Sequence, residues 1–190
     1  MQIKIYYEFN EEIKTYWKDL ELISDITPFQ TYIWIESWQK IIGSPVYKTK
    51  PVIICLFNED TLEAIIPLCI KKEGFISILE WLGGPNTDYM LPIIKKDSYI
   101  FTIDFFNLWS DIKSNIPHHD ILHLTKQPAK IGINKNPFVH SLNSSFIMNS
   151  YQSFIKNDWE DYKEAYISKK VLADSRRQRK RLAEIGNLNF

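Results

Sequence analysis

The sequence predicts an α/β fold: a mixed sheet built on an antiparallel meander and flanked by helices. Three observations carry this. Pro51–Phe57, Thr61–Ile70 and Phe75–Leu82 are apolar runs separated by the short polar breaks Asn58-Glu59-Asp60 and Lys71-Lys72-Glu73-Gly74, the pattern of strands joined by hairpins. Apolar residues at helical spacing precede this meander. A further helical stripe and then another strand follow it, and helix-then-strand after a meander adds helices packed on one mixed sheet.

Taken in order, Gln2–Tyr7 alternates as a short strand. Asn10 is an N-cap with Glu11 and Glu12 in the first turn, and Ile13, Tyr16, Trp17, Leu20 and Ile23 form one stripe. Thr27-Pro28 breaks this helix. The next carries Trp34, Ile35, Trp38, Ile41 and Ile42 on one face and ends at Gly43 and Pro45. Its two tryptophans read as core rather than as a ligand wall. In the meander, Pro67 interrupts a strand, which argues for an edge or a bulge there. Asp97 is the expected cap of a helix with the stripe Phe101, Phe105, Leu108, Trp109 and Ile112. Asp120–Thr125 follows as a strand, Gln127–Pro137 as loop, and Phe146–Met148 as one more short strand. Asn157-Asp158-Trp159-Glu160 has capping-box spacing, with a single helix expected from there to Ile185, stopped by Gly186. Asn187–Phe190 reads as the opening of a strand, so the chain is expected to be truncated. An unpaired strand there leaves an edge through which two copies can pair as a homodimer.

With 190 residues, 23 basic against 23 acidic and 14% aromatics, the chain has enough apolar material for a sizeable core and no net field toward nucleic acid or anionic membranes. Nucleic acid is an unfavoured partner. There is no signal peptide and no run long enough to span a bilayer, so the cytoplasm is the default location. The two cysteines, Cys55 and Cys69, read as a reduced core pair.

Leu82-Gly83-Gly84-Pro85-Asn86-Thr87-Asp88-Tyr89 is the stretch best suited to meet a ligand, because glycines after a strand let backbone amides approach closely. On the residues alone a plain turn is the better explanation of them, and no phosphate-loop lysine follows. Asp88 and Tyr89 offer a carboxylate and a phenol to an amine or hydroxyl substrate. They also suit bonding to loop amides and inward packing. His118, His119 and His123 lack the converging ligands that zinc requires, so no metal site is expected. Lys169, Lys170, Arg176, Arg177, Arg179, Lys180 and Arg181 make a basic helix, suited to an anion or simply to solvent. No nucleophile motif is present, and no catalytic residue is assigned.

Several stretches together resemble one family. Phe29-Gln30 with Trp34, Trp38 and Gly43 is similar to its amino-terminal helix. Leu82-Gly83-Gly84 with Asp88-Tyr89 and Pro92 resembles its central signature, and Asp120–Leu124 its next strand. Ser168-Lys169-Lys170, the arginine-rich helix and Leu182 through Gly186 resemble its middle helix. The family is the CelD-like, cellulose-biosynthesis-associated acyltransferases of the GNAT superfamily, built from two GNAT-like halves. The resemblance implies a first half over residues 1–149 and the start of a second over 150–190. It implies transfer of an acyl group from acyl-CoA (acetyl-CoA) to an amine or hydroxyl acceptor, a small molecule, glycan or peptide. Asp88 and Tyr89 would lie on the acceptor side and Arg176 and Arg177 on the coenzyme side. The superfamily's Gln/Arg-x-x-Gly-x-Gly/Ala turn, which holds the coenzyme pyrophosphate, does not occur in this sequence. The chain alone is therefore expected to be inactive, the alternative being a non-catalytic binding module or inactive remnant.

Overall fold

A computed structural model describes residues 1–149 and 158–186. The chain divides into two compact units, Met1–Ile147 and Met148–Phe190. In the first, strand β1 (Gln2–Tyr6) leads to helix α1 (Glu11–Leu22) and helix α2 (Tyr32–Trp38), whose end widens into a π-type turn at Gln39–Gly43. The meander follows as β2 (Lys50–Asn58), β3 (Thr61–Glu73) and β4 (Ile76–Trp81). After it come a short strand β5 (Ile93–Ile94), helix α3 (Phe105–Asn115), strand β6 (Ile121–His123), a small hairpin β7 (Lys130–Ile131) and β8 (Asn134–Lys135), and the short helix α4 (Pro137–Ser141). The second unit holds α5 (Trp159–Tyr166) and α6 (Lys169–Ala183).

The main sheet is mixed and has six strands, in the order β1-β2-β3-β4-β6, with β5 also paired to β3. All its pairs are antiparallel except β4 with β6, which run parallel. Alternation along β2 and β3 sends side chains to two separate cores, which is why these strands read as nearly continuous apolar runs. Ile53, Cys55, Ile65 and Cys69 pack with Ile13, Trp17 and Leu20 of α1 and with Tyr32, Ile35 and Trp38 of α2. Val52, Ile54, Leu56, Ile66, Leu68, Leu79 and Trp81 pack with Phe105, Leu108, Trp109 and Ile112 of α3 and with Phe138 of α4.

Pro67 sits where the sheet edge divides. Leu68–Glu73 pair with β4, Ala64 and Ile65 pair with β5, and the proline falls in the gap, where its missing N–H is not needed. The two cysteines are buried free thiols, opposite Ile65 and Pro51 respectively rather than each other.

Several expectations are corrected. Asp97 does not cap α3. Asp104 does, accepting from the amides of Phe106 and Asn107, while Phe101 belongs to a separate 3-10 turn, Tyr99–Phe101. In α2 the buried residues are Tyr32, Ile35 and Trp38. Trp34 is partly exposed and Ile41 largely so: seven residues apart, they share the flank of the line formed by Ile35, Trp38 and Ile42. Gln127–Pro137 contains the β7–β8 hairpin. Phe146–Met148 is exposed and forms no strand. The expected long helix is two, separated at Ile167-Ser168, where extended backbone lets the Ser168 hydroxyl cap α6. Asp158 caps α5; Asn157 and Asn187–Phe190 lie outside the described residues. Among the described residues no helix is long and apolar enough to cross a membrane.

Candidate functional site

After Trp81 the chain leaves the edge of β3, with the Leu82 amide donating to the Pro67 carbonyl at 2.9 Å, and it returns to the same edge at β5. Residues 82–92 are thus an excursion from the sheet. Gly83 and Gly84 both have positive φ, +118° and +57°, and both are pressed by side chains. A Cβ on Gly83 would lie 2.5 Å from the Thr87 hydroxyl, and one on Gly84 would lie 2.3 Å from the Trp38 indole. The Thr87 hydroxyl donates to the Gly83 carbonyl at 2.7 Å and accepts from Trp34 Nε1 at 3.0 Å. Trp38 stacks on Tyr47. The two glycines therefore answer to packing: their bare Cα atoms admit Trp38 and Thr87 from the protein side.

Asp88 and Tyr89 part company. The Asp88 side chain is 74% exposed, with Lys126 Nζ 4.0 Å away. That ammonium is engaged as a clamp, donating to the carbonyls of Pro85 at 2.7 Å and Thr87 at 2.8 Å, while the Lys126 carbonyl accepts from the Met90 amide. Tyr89 is half-buried, its ring 6.3 Å from Phe29, which in turn meets Trp34 edge-on. Its carbonyl accepts from Gln30 Nε2 at 2.6 Å. Behind the loop a cavity of about 10 Å³, lined by Gln30, Pro67, Trp81, Thr87 and Tyr89, has room for about one water. A larger ligand meets this loop from outside, at Asp88.

A second set of groups lies on the strand leading into the loop, and sequence reasoning missed it. Glu80 of β4 stands opposite His123 of β6 across the parallel pair. Lys71 and Glu73 alternate onto the same face of β3 and share a 2.5 Å hydrogen bond. Burial pushes the Glu80 carboxyl above its ordinary range, against the opposing pull of Lys71 and His123. The signal available in sequence was one carboxylate inside an otherwise apolar strand. Its partner shows only once β4 and β6 pair.

Of the other candidates, Cys69 lies opposite Glu80 across the β3–β4 pair. His119 Nδ1 lies 3.1 Å from the Pro117 carbonyl, and among the described residues no three His, Cys, Asp or Glu side chains converge as metal ligands. Burial raises both thiols, Cys55 to about 12 and Cys69 well above its usual value, so neither is a nucleophile near neutral pH. Arg176 and Arg177 belong to α6 in the second unit; both are exposed, and Arg177 is paired with Asp174 one turn earlier.

Holding an acyl-CoA pyrophosphate requires backbone amides free at a helix start. Each described helix has one first-turn amide held by an oxygen of the chain itself, and α3 has two. Asn10 accepts from Ile13, Glu21 from Tyr32, Asp104 from Phe106, Asn136 from Phe138, Asp158 from Glu160 and Ser168 from Val171. None of these starts carries the Gln/Arg-x-x-Gly-x-Gly/Ala turn. Comparison with known protein families, with curated proteins and with solved structures finds no match for this chain.

Proposed function

We propose that the first unit is the acceptor-binding half of a GNAT-like N-acyltransferase, receiving an amine or hydroxyl group that is to be acylated. The element order supports the reading: a strand, two helices, a three-stranded antiparallel meander, a helix, and a strand running parallel to the last of the meander. The observation that carries it is Glu80, in register with His123 on the strand that enters the Gly83–Tyr89 loop. A carboxylate whose proton affinity is raised by burial is a better general base near neutral pH than an exposed one. The exposed Asp88 carboxylate supplies attraction for an ammonium, and Glu80 takes the proton that the acceptor must lose to become a nucleophile. No step is routed through the coenzyme, whose Gln/Arg-x-x-Gly-x-Gly/Ala turn this sequence lacks.

The test is a titration of the full chain with primary amines (an amino sugar and a lysine peptide), followed by incubation with acetyl-CoA. Asp88→Asn should weaken amine binding about fivefold, and Glu80→Gln should leave binding intact while removing any acylated product. A second reading, a non-catalytic binding module, is favoured by the absence of the Gln/Arg-x-x-Gly-x-Gly/Ala turn from the sequence. It expects amine binding without product and no effect of Glu80→Gln. Failure of every amine to bind would sink both.

A further inference from the structure

We infer that this chain has a second binding site, independent of the loop and of the reading above, for a small molecule that joins one carboxylate to an apolar body. The site is a cleft of about 490 Å³ at the carboxyl end of β1 and the amino end of β2. That volume lies within the range of small-molecule sites.

Its floor follows from the fold. Val52 and Ile70 belong to the sheet face that packs on α3, and Tyr7 continues the alternation of Ile3 and Ile5 onto that same face. An eleven-residue helix such as α3 is roughly 16 Å long, whereas the thirteen-residue β3 runs to roughly 43 Å. One helix leaves part of such a face uncovered. Pro117, just past the end of α3, forms one wall.

The opposite rim is built and rigid. The π-type turn brings the Ser44 amide onto the Gln39 carbonyl at 2.8 Å. Gln39 Nε2 donates to the Thr49 carbonyl at 3.0 Å, and the Thr49 hydroxyl donates back to Gln39 Oε1 at 2.8 Å. Gly43 is locked among them, since a Cβ there would lie 2.5 Å from Gln39 Oε1 and 2.6 Å from Trp38.

The chemistry of the lining selects the ligand. Pro51, Val52, Ile70 and Pro117 are apolar, and the lining carries one cation, Lys50, and no acid. Among the described residues none accepts a hydrogen bond from the Lys50 ammonium, the Tyr7 phenol or the Ser44 hydroxyl. Three uncommitted donors, one of them charged, at the edge of an apolar floor suit a monoanion with a hydrocarbon or aromatic body. A phosphate dianion would call for more than one cation, and an amine would meet the like charge of Lys50 with no acid to offset it.

The test is an amide-resolved NMR titration of the full chain with 3-phenylpropionate and, separately, with 3-phenylpropylamine, which has the same ring and chain length. Saturable shifts at Ser44, Thr49 and Lys50 are expected with the acid alone. Lys50→Met should weaken binding at least tenfold, and Lys50→Glu should reverse the preference toward the amine. Lys50 is exposed, and dispersed spectra of the variants will report that they are folded. The proposal is overturned if the acid gives no saturable shift, if the shifts fall in the Gly83–Tyr89 loop instead, or if Lys50→Met binds as the parent does. Because neither probe enters an acylation assay, failure here leaves the acceptor reading standing.

Discussion

The two units of this chain use amphipathic sequence to different ends. In Met1–Ile147 the stripe of α1 is converted into burial: Ile13, Trp17 and Leu20 are all at most 1% exposed. In the second unit α5 carries the stripe Trp159, Tyr162 and Tyr166, yet none of the described residues of α5 or of the basic α6 is buried. Their helices are held by what lies along their own length: the Asp158 and Ser168 caps, the ion pairs Lys163–Glu160 and Arg177–Asp174, and the rings of Trp159, Tyr162 and Tyr166 meeting one after another. Caps and exposed pairs contribute tenths of a kcal/mol to about 1 kcal/mol each, whereas one buried large side chain contributes several. A pattern of apolar residues states what a helix can bury, and only packing decides whether it does.

The widest contrast comes from removing an indole in each unit. Trp17→Ala deletes a fully buried ring whose N–H donates to the Gln30 carbonyl at 2.8 Å, and should cost about 3–5 kcal/mol in urea unfolding. Trp159→Ala should cost less than about 0.5 kcal/mol, and an equal effect of the two would break the comparison.

Glycines sharpen it within the first unit. Gly84→Ala should cost about 2 kcal/mol, combining the left-handed backbone with the collision against Trp38. Gly74→Ala shares the positive φ but meets open space, so only the backbone cost of about 1 kcal/mol is expected.

Removal of caps comes next. Asp104→Ala should lower the stability of the first unit by about 1 kcal/mol. Ser168→Ala should reduce far-ultraviolet helicity while leaving the first unit's unfolding midpoint in place.

The smallest effect is a pH effect. Burial raises the Glu80 carboxyl in the folded state, so the folded protein holds that proton more tightly than the unfolded chain does. Its contribution is fully present below the unfolded carboxylate range and is lost as pH rises through the folded value. Glu80→Gln should therefore be the more stable protein at pH 7, with the difference closing as the pH falls below the ordinary carboxylate range. A difference that widens in acid would show that Lys71 and His123 outweigh burial.

What the sequence made legible follows the same division. The meander and α1 could be read because each strand or stripe meets apolar neighbours that enforce its period. Asp97 was misread because Asp and Ser both precede short apolar runs there, and only the chain's course shows that helix starting at Asp104. The stripe of α2 was drawn too wide, since Trp34 and Ile41 lie on its flank and only packing shows that the inward line is Ile35, Trp38 and Ile42. Ser168 was passed over inside one long expected helix, because residues on both sides suit a helix and only the extended backbone at Ile167-Ser168 marks the break. At the loop, the sequence displayed two glycines but not the Trp38 and Thr87 side chains that need them, and it displayed Glu80 without its register partner. Contacts between distant segments are what periodicity leaves out.

The parallel strand β6 has a kinetic consequence. The hairpins β2–β3 and β3–β4 close over a few residues, whereas seating β6 beside β4 closes a loop of about 40 residues, and that ordering cost is met late in folding. Strands that dock last and pair briefly are also those whose amides exchange first in the native state. β6 brings His123 beside Glu80 and leads into the Lys126 clamp over the loop. A brief undocking of this three-residue strand would part His123 from Glu80 and release the loop while both cores stay closed.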